Sequence, residues 1–97
     1  MTKEDIKRII GEHRDILEKY KVKSIALFGS YVRNGQREDS DIDFLVELKE
    51  DTYHNFINLI FTLEDLLKKE VTVVSKEDLS PYILPYVLRE VETIEGG

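Results

Sequence analysis

The stretch ALFGSYVRNGQREDSDIDFLVEL, residues 26–48, decides the fold that we expect for this chain. It opens within a compact apolar run, residues 22–28, which is typical of a buried strand and stops at Gly29. The polar residues 30–40 predict a loop, and the largely apolar run 42–48 predicts a second strand. Two buried strands joined by a polar loop therefore form the centre of the predicted fold.

The apolar residues on either side of this centre recur at helical spacing. They predict an amphipathic helix over residues 3–20 and a second helix that begins after a cap at Asp51 or Thr52. Residues 71–74 are β-branched and predict a third strand after that second helix.

The last part of the sequence predicts a final helix, with Ser80 as its N-cap and Pro81 in its first turn. Pro85 should kink or restart that helix, because proline has no N–H group to donate inside it. The order helix, strand, strand, helix, strand, helix predicts an α/β (α+β) protein with a small mixed sheet flanked by helices. We expect residues 1–97 to form a single domain.

Composition narrows the classes of function. The chain has 97 residues, no cysteine, a net charge of -6 and no apolar run long enough to cross a bilayer. The lack of cysteine excludes disulfides and thiolate metal sites. The acidic balance disfavours a broad nucleic-acid surface, because neutralising phosphates needs clustered Lys and Arg, but it leaves room for a triphosphate bound with divalent cations. We therefore expect a cytoplasmic protein with no direct nucleic-acid or membrane binding.

Gly29 and Ser30 lie where a phosphate could be held. Glycine lets the backbone approach a ligand closely, and Ser30 follows where a short helix could start. Free N–H groups at the beginning of a helix favour anions, and the Ser30 hydroxyl could add another donor. An isolated Gly-Ser pair, however, is most often an ordinary turn.

Asp41 and Asp43 add a candidate metal site to the turn at Gly29 and Ser30. Side chains two apart on a strand project from the same face, and two carboxylates there repel each other unless a cation lies nearby. Mg²⁺ prefers oxygen ligands and is often held by one or two carboxylates together with substrate phosphates. Because the pair opens a buried strand, the pattern is more specific than two acids on a solvated face. It favours a metal-assisted phosphoryl-transfer site.

The combination of Gly29-Ser30, ten intervening residues and the aspartates Asp41 and Asp43 resembles the signature of the DNA polymerase β-like nucleotidyltransferase superfamily. The chain is most similar to the minimal nucleotidyltransferases (MNT) of that superfamily, and the resemblance extends more loosely over nearly the whole chain. Arg33 stands where the family usually has arginine.

The resemblance implies a polymerase β palm-like fold and a role for each of these residues. Asp41 and Asp43 would be the catalytic, metal-binding carboxylates for Mg²⁺ or Mn²⁺, and Gly29, Ser30 and Arg33 would bind the nucleotide. The implied reaction transfers AMP from ATP to a hydroxyl of a partner protein. Minimal nucleotidyltransferases resemble antitoxins that pair with a HEPN-type toxin, so the resemblance implies such a partner.

One departure from the family bears on turnover. The family usually has a third carboxylate on the next strand, where this chain has Thr72, and threonine cannot act as a base. Glu70 has the same strand parity, so its longer side chain could substitute, or it could simply be solvated. The alternative function is therefore a catalytically weak or inactive module that neutralises a HEPN partner by contact. A nucleotide-binding subunit of a larger oligomer is a third hypothesis.

Tyr82, Ile83, Tyr86 and Val87 form an apolar stripe in the predicted last helix. The stripe is predicted to be core or a partner surface. A base-stacking platform is disfavoured because no basic patch accompanies it. Homo-oligomerisation is left open by the sequence.

Overall fold

The computed structural model describes residues 1–33, 40–50 and 53–96, and along them helices and strands are interspersed. The helices are α1 (Lys3–Gly11), α2 (Arg14–Lys19), α3 (Tyr53–Leu67) and α4 (Leu84–Glu90). The strands are β1 (Val22–Phe28), β2 (Ile42–Leu48), β3 (Val71–Ser75) and β4 (Glu92–Glu95), and short 3₁₀ helices follow β1 (Gly29–Tyr31) and β3 (Lys76–Asp78). No helix in the described part of the chain has the length and apolar character needed to span a bilayer.

The strands form one mixed sheet in the order β3-β2-β1-β4. β1 pairs antiparallel with both β2 and β4, whereas β2 and β3 run parallel and are connected through α3. A parallel pair needs such a crossover, because a tight turn can join only antiparallel strands. The predicted α/β (α+β) class, a mixed sheet flanked by helices, is confirmed.

The hydrophobic core lies on one face of this sheet. Helices α1, α2 and α3 present apolar stripes to alternate strand residues, among them Phe44 and Val46 of β2. Only alternate residues of each strand join the core, since every second side chain points to the same face of the sheet. The most deeply buried members of the core are Ile6, Ile10, Ile25, Leu27, Tyr31, Ile42, Phe44, Val46, Leu59 and Leu63.

The opposite face of the sheet is covered less completely. Ala26 and Leu45 point to this side and are buried, yet they lie outside the core cluster. The 3₁₀ helix Lys76–Asp78, which follows β3, lies close to β2. In α4, which follows, Leu84 and Val87 are half-buried at helical spacing. That stripe is therefore the less exposed side of α4.

The helix predicted over residues 3–20 is interrupted. Gly11 ends α1 and the chain resumes helical structure at Arg14, so the prediction of one continuous helix is wrong. His13 lies at the break, and its Nδ1 is hydrogen-bonded to the carbonyl oxygen of Ile9 at 2.7 Å. Glycine is a poor helix former, which makes Gly11 a natural place for the helix to stop.

The last helix begins at Leu84 and not at Ser80 as predicted. Ser80 instead organises a turn: its hydroxyl accepts the N–H of Tyr82 at 3.2 Å, and its carbonyl oxygen accepts the N–H of Leu84 at 2.9 Å. Pro85 lies in the first turn of α4, where no intrahelical donor is needed. Pro85 therefore marks the start of the helix, whereas the sequence predicts that it kinks or restarts a helix that has already begun at Ser80.

Strand β4 is missing from the sequence-based prediction, because it is short and contains two glutamates, which are uncommon in strands. Ion pairs attach it to the helices. The Glu92 carboxylate pairs with Lys7 at 2.8 Å and with Lys3 at 3.0 Å, and Glu95 pairs with Arg14 at 3.0 Å. Hydrogen bonds from Lys7 and Lys3 hold the pKa of Glu92 below its usual value.

Candidate functional site

Asp43 occupies the second position of β2, beside the end of β1. It pairs with Phe28 across the antiparallel strand β1 and with Thr72 across the parallel strand β3. Directly paired residues project from the same face of a sheet, so these three side chains form one row. The row lies on the face opposite the core, because Phe44, the next residue along β2, belongs to the core cluster.

Gly29 follows β1 directly and comes into close contact with Asp43. Its φ of +75° lies in the left-handed region that favours glycine. A Cβ added at Gly29 would overlap Asp43 Oδ2 and would lie only 3.2 Å from Asp43 Cγ. The backbone turn after β1 therefore packs directly against the Asp43 carboxylate, and no larger residue fits there without moving it.

Ser30 follows in the short 3₁₀ helix, where the sequence predicts that a short helix could start. The N–H groups of Val32 and Arg33 both donate to the carbonyl oxygen of Gly29, at 3.2 and 3.3 Å. The buried Tyr31 side chain anchors this turn in the core. Ser30 itself is half-buried, one residue from the contact between Gly29 and Asp43.

Asp41 immediately precedes β2 and has the same strand parity as Asp43. Burial raises the pKa of Asp43, the negative charge of Asp41 raises it further, and the positive charge of Arg33 opposes both effects. Asp41 is exposed, whereas Asp43 is half-buried. The two carboxylates thus lie within electrostatic reach of each other, in an arrangement that a cation between or beside them would stabilise.

The charge of Arg33 acts on Asp43, and Arg33 also forms an ion pair that could not be predicted from the sequence. Its Nη1 lies 3.1 Å from Glu90 Oε2, at the end of α4. Glu38 and Asp39, two acidic residues close to Arg33 in the sequence, lie outside the described residues. Glu90 is 57 positions away from Arg33, so only the tertiary fold brings them together. The pair connects α4 to the end of the sheet that contains the aspartates.

Thr72 lies in β3, the edge strand next to β2, and Glu70 directly precedes that strand. Thr72 is exposed and directly beside Asp43, which is the position that a third carboxylate would need. Glu70 precedes β3, and its carbonyl oxygen accepts the N–H of Ile42 at 3.1 Å while its side chain is exposed. Within residues 1–33, 40–50 and 53–96, no cluster of three or more His, Cys, Asp or Glu side chains could hold a metal ion. The residue of β3 beside Asp43 is thus Thr72, which offers a neutral hydroxyl in place of a carboxylate.

This combination defines a class of protein. The mixed sheet has helices packed on one face and, on the other, a glycine turn packed against the Asp43 carboxylate. A solved structure described as a candidate minimal nucleotidyltransferase superposes with a TM-score of 0.83 at 32% identity, and the match covers 95% of each chain. The chain belongs to the nucleotidyltransferase domain family, whose model matches residues 10–93.

Curated relatives agree with this assignment. A candidate protein adenylyltransferase of Methanocaldococcus jannaschii is 45% identical over 95 residues, covering 94% of this chain and 92% of the relative. The protein adenylyltransferase MntA of Thermococcus cleftensis is 42% identical over 93 residues, covering 94% of each.

Two further solved structures share the fold at lower identity. One is a toxin–antitoxin with AMP-PNP, with a TM-score of 0.76, 24% identity, and coverage of 94% of this chain and 73% of that one. The other contains a tri-AMPylated Shewanella oneidensis HEPN toxin in complex with its MNT antitoxin, with a TM-score of 0.68, 22% identity, and coverage of 93% and 71%. At these identities the likeness concerns the fold alone.

Proposed function

We propose that this chain is a protein adenylyltransferase that binds ATP with Mg²⁺ or Mn²⁺ and transfers AMP to a hydroxyl of a HEPN-type partner, acting as its antitoxin. The observation that supports this most directly is the contact between Gly29 and the Asp43 carboxylate. It joins the turn suited to phosphates and the carboxylate suited to a metal in one site. The curated relatives, which are named for protein adenylylation, support the same reaction.

The residues of the site fit the group that they would bind. Asp41 and Asp43 offer oxygen ligands from one face, which is the chemistry that Mg²⁺ and Mn²⁺ prefer. Burial and the negative charge of Asp41 raise the pKa of Asp43, and a bound cation would offset both effects. Bound there, the ion would neutralise phosphate charge and so lower the barrier to displacement. Backbone N–H groups of the Gly29–Tyr31 turn and the Ser30 hydroxyl are the proposed phosphate donors, with Arg33 beside them.

The proposed transfer is an in-line displacement at phosphorus. The acceptor hydroxyl oxygen forms a bond to the α-phosphorus of ATP, and the bond from that phosphorus to the oxygen that bridges to the β-phosphate breaks. Pyrophosphate leaves, and the hydroxyl proton passes to a base or to solvent. The contribution of this chain is to hold the triphosphate between the Gly29 turn and the aspartates, so that the acceptor meets an oriented phosphorus.

A second candidate function is a binding module that neutralises its partner by contact. Thr72 favours it, because the position beside Asp43 has a hydroxyl that cannot accept the acceptor's proton as a carboxylate would. Such a module would bind ATP or the partner without appreciable transfer. The two candidates share the site and differ only in turnover.

The test begins with ATP binding. Mg²⁺ with ATP should raise the melting temperature, because a ligand that binds only the folded state stabilises it. Asp41→Asn with Asp43→Asn should abolish that rise. The control, Asp15→Asn with Glu18→Gln, removes the same charge from exposed positions on α2 and should respond like the parent. A parental response in the Asp41/Asp43 variant would reject the site.

The second step measures turnover. The chain is incubated with labelled ATP, Mg²⁺ and the product of the adjacent gene. Label on that protein, lost in the Asp41/Asp43 variant, supports adenylyl transfer. Partner binding without label supports the contact-only module instead.

A further inference from the structure

A group of large apolar side chains projects into solvent from the segment that leads into and includes α4. Tyr82 is 85% exposed, Ile83 53%, Tyr86 68% and Leu88 42%. We call these four residues the α4 surface. No residue of α4 is buried, and only the stripe that includes Leu84 and Val87 faces inward. The core therefore does not account for the aromatic side chains. Of the two alternatives that the sequence left open, core or partner surface, the exposure of Tyr82, Ile83 and Tyr86 favours a partner surface.

The α4 surface is continuous with the candidate site. Ile83, Tyr86 and Glu90 are three and four residues apart, so they lie along one side of the helix. At one end of that side, Glu90 forms the ion pair with Arg33, whose charge acts on Asp43. A helix rises about 1.5 Å per residue, so Tyr86 lies only about 6 Å further along the axis than Glu90. Helix α4 therefore approaches the candidate site through Glu90 and Arg33, and Tyr86 lies about one turn further along the helix.

We infer that the α4 surface is where the protein acceptor of AMP docks, an inference that rests on the proposed function. The acceptor must bring a hydroxyl to the site, so it has to contact whatever borders that site. Its chemistry follows from the surface: an apolar patch to cover the two tyrosines, surrounded by basic side chains. The basic rim is expected because this chain has a net charge of -6.

The size of the surface favours an acceptor over a second copy of this chain. The exposed parts of the four side chains amount to on the order of 450 Å² of apolar area. A stable interface buries about 800 Å² on each partner, so the α4 surface alone is too small for a lasting dimer. An acceptor that enters the site covers the α4 surface and the cleft together. Tyrosines at the centre of such a contact are typical anchors of binding.

The test uses two matched pairs of exposed aromatics. Tyr82→Ala with Tyr86→Ala removes the proposed anchors. Tyr53→Ala with Phe61→Ala removes side chains that are 80% and 63% exposed on α3. Affinity for the product of the adjacent gene is measured by calorimetry, and KM for that protein by labelled AMP transfer. The Tyr82/Tyr86 variant should lose about 30-fold or more in affinity, with a parallel rise in KM, and the control should stay within about 2-fold.

Further measurements identify the occupant. The thermal response to Mg²⁺ with ATP should be unchanged in the Tyr82/Tyr86 variant; a parallel loss would show that the tyrosines hold the base and would overturn the inference. A parent that is dimeric in sedimentation and becomes monomeric in this variant would also overturn it, in favour of a second copy. Parental affinity in the variant, or no binding of the partner by the parent, would overturn it as well.

The same data separate the inference from the proposed function. Partner binding that depends on Tyr82 and Tyr86, without AMP transfer by the parent, supports the docking surface and rejects the adenylyltransferase. Transfer with an unchanged KM in the variant supports the adenylyltransferase and rejects the docking surface.

Discussion

Asp43 and Phe44 are neighbours in β2, yet they lie in opposite environments. Phe44 is fully buried among the side chains of the helices, while Asp43 points to the other face, beside Gly29 and Thr72. Because side chains alternate along a strand, one short segment contributes to the core with one set of residues and to the site with the other. The comparison teaches that substitutions on the two faces should have separable effects, on stability and on chemistry.

The largest expected effect concerns transfer. Thr72→Asp places a carboxylate beside Asp43, where it can accept the acceptor's proton, and general-base assistance is typically worth about 10²–10⁴-fold in rate. AMP transfer to the partner should rise by up to that factor, measured with labelled ATP, while ATP affinity stays within a few-fold.

Thr93→Asp is the matched control, since Thr93 pairs with Ala26 at the other edge of the sheet, and it should leave the rate unchanged. An unchanged rate in Thr72→Asp would mean that Glu70 or the acceptor already supplies the base, or that the domain only binds. Glu70→Gln separates these cases: if Glu70 is the substitute, its loss suppresses the parent's residual transfer and Thr72→Asp restores it.

The next effect belongs to the helix-covered face. Phe44→Ala should lower the free energy of unfolding by about 3–5 kcal/mol, because it removes a large side chain from a close-packed core. Leu45→Ala, on the less completely covered face, should cost about 2–3 kcal/mol. Urea denaturation measures both. An equal or larger loss for Leu45→Ala would show that the two faces contribute alike to stability.

Gly29→Ala tests the contact between the turn after β1 and the Asp43 carboxylate. The left-handed backbone should cost about 1–2 kcal/mol of stability, and the added Cβ should push the Asp43 carboxylate away and abolish the thermal response to Mg²⁺ with ATP. In Gly11→Ala, by contrast, the new Cβ meets nothing closer than Glu95 Oε1 at 3.9 Å. That variant should be neutral or slightly stabilising and should keep the response. Normal ATP binding by Gly29→Ala would contradict the proposed cradle.

The smallest effect is a pH dependence of stability. The pKa of Asp43 is raised in the folded protein, so the folded state binds this proton more tightly than the unfolded state does. Stability is therefore lost as pH rises from the ordinary value of 3.8 through the raised one, and the loss is complete above it. Asp43→Asn should be more stable than the parent at neutral pH without metal, and the advantage should vanish below about pH 3.8.

Urea titrations of the parent and of Asp43→Asn at both pH values test this dependence. Asp15→Asn, an exposed carboxylate on α2, controls for the loss of one negative charge from an acidic chain. An advantage of Asp43→Asn that does not change with pH would contradict the assignment.

Local signals in the sequence were enough to predict the centre of the fold. The runs 22–28 and 42–48 coincide with β1 and β2, because a continuous apolar run bounded by glycine or polar residues suits a buried strand. Gly29 and Asp43 could be named as neighbours in one site only through the resemblance to a family, since spacing alone does not show that two strands pair.

The features that sequence reasoning missed depend on contacts between distant residues. β4 has little strand propensity of its own and is held by partners in α1 and α2. Glu90 meets Arg33 only because the segment after β3 crosses the sheet, and Ser80 prefers a turn to a helix cap for the same tertiary reason. No local pattern encodes such pairings.

The ion pairs of β4 also bear on the entropy of the unfolded chain. Lys3 and Glu92 are 89 positions apart, yet their side chains are in contact, so the fold nearly closes the chain into a ring. A covalent bridge across that contact would close a loop of almost the whole length. In the chain-entropy model, a loop of that size is worth about 4–5 kcal/mol, chiefly by restricting the unfolded state. The weakest strand of the sheet is thus the place where a single added bond would restrict the unfolded ensemble most.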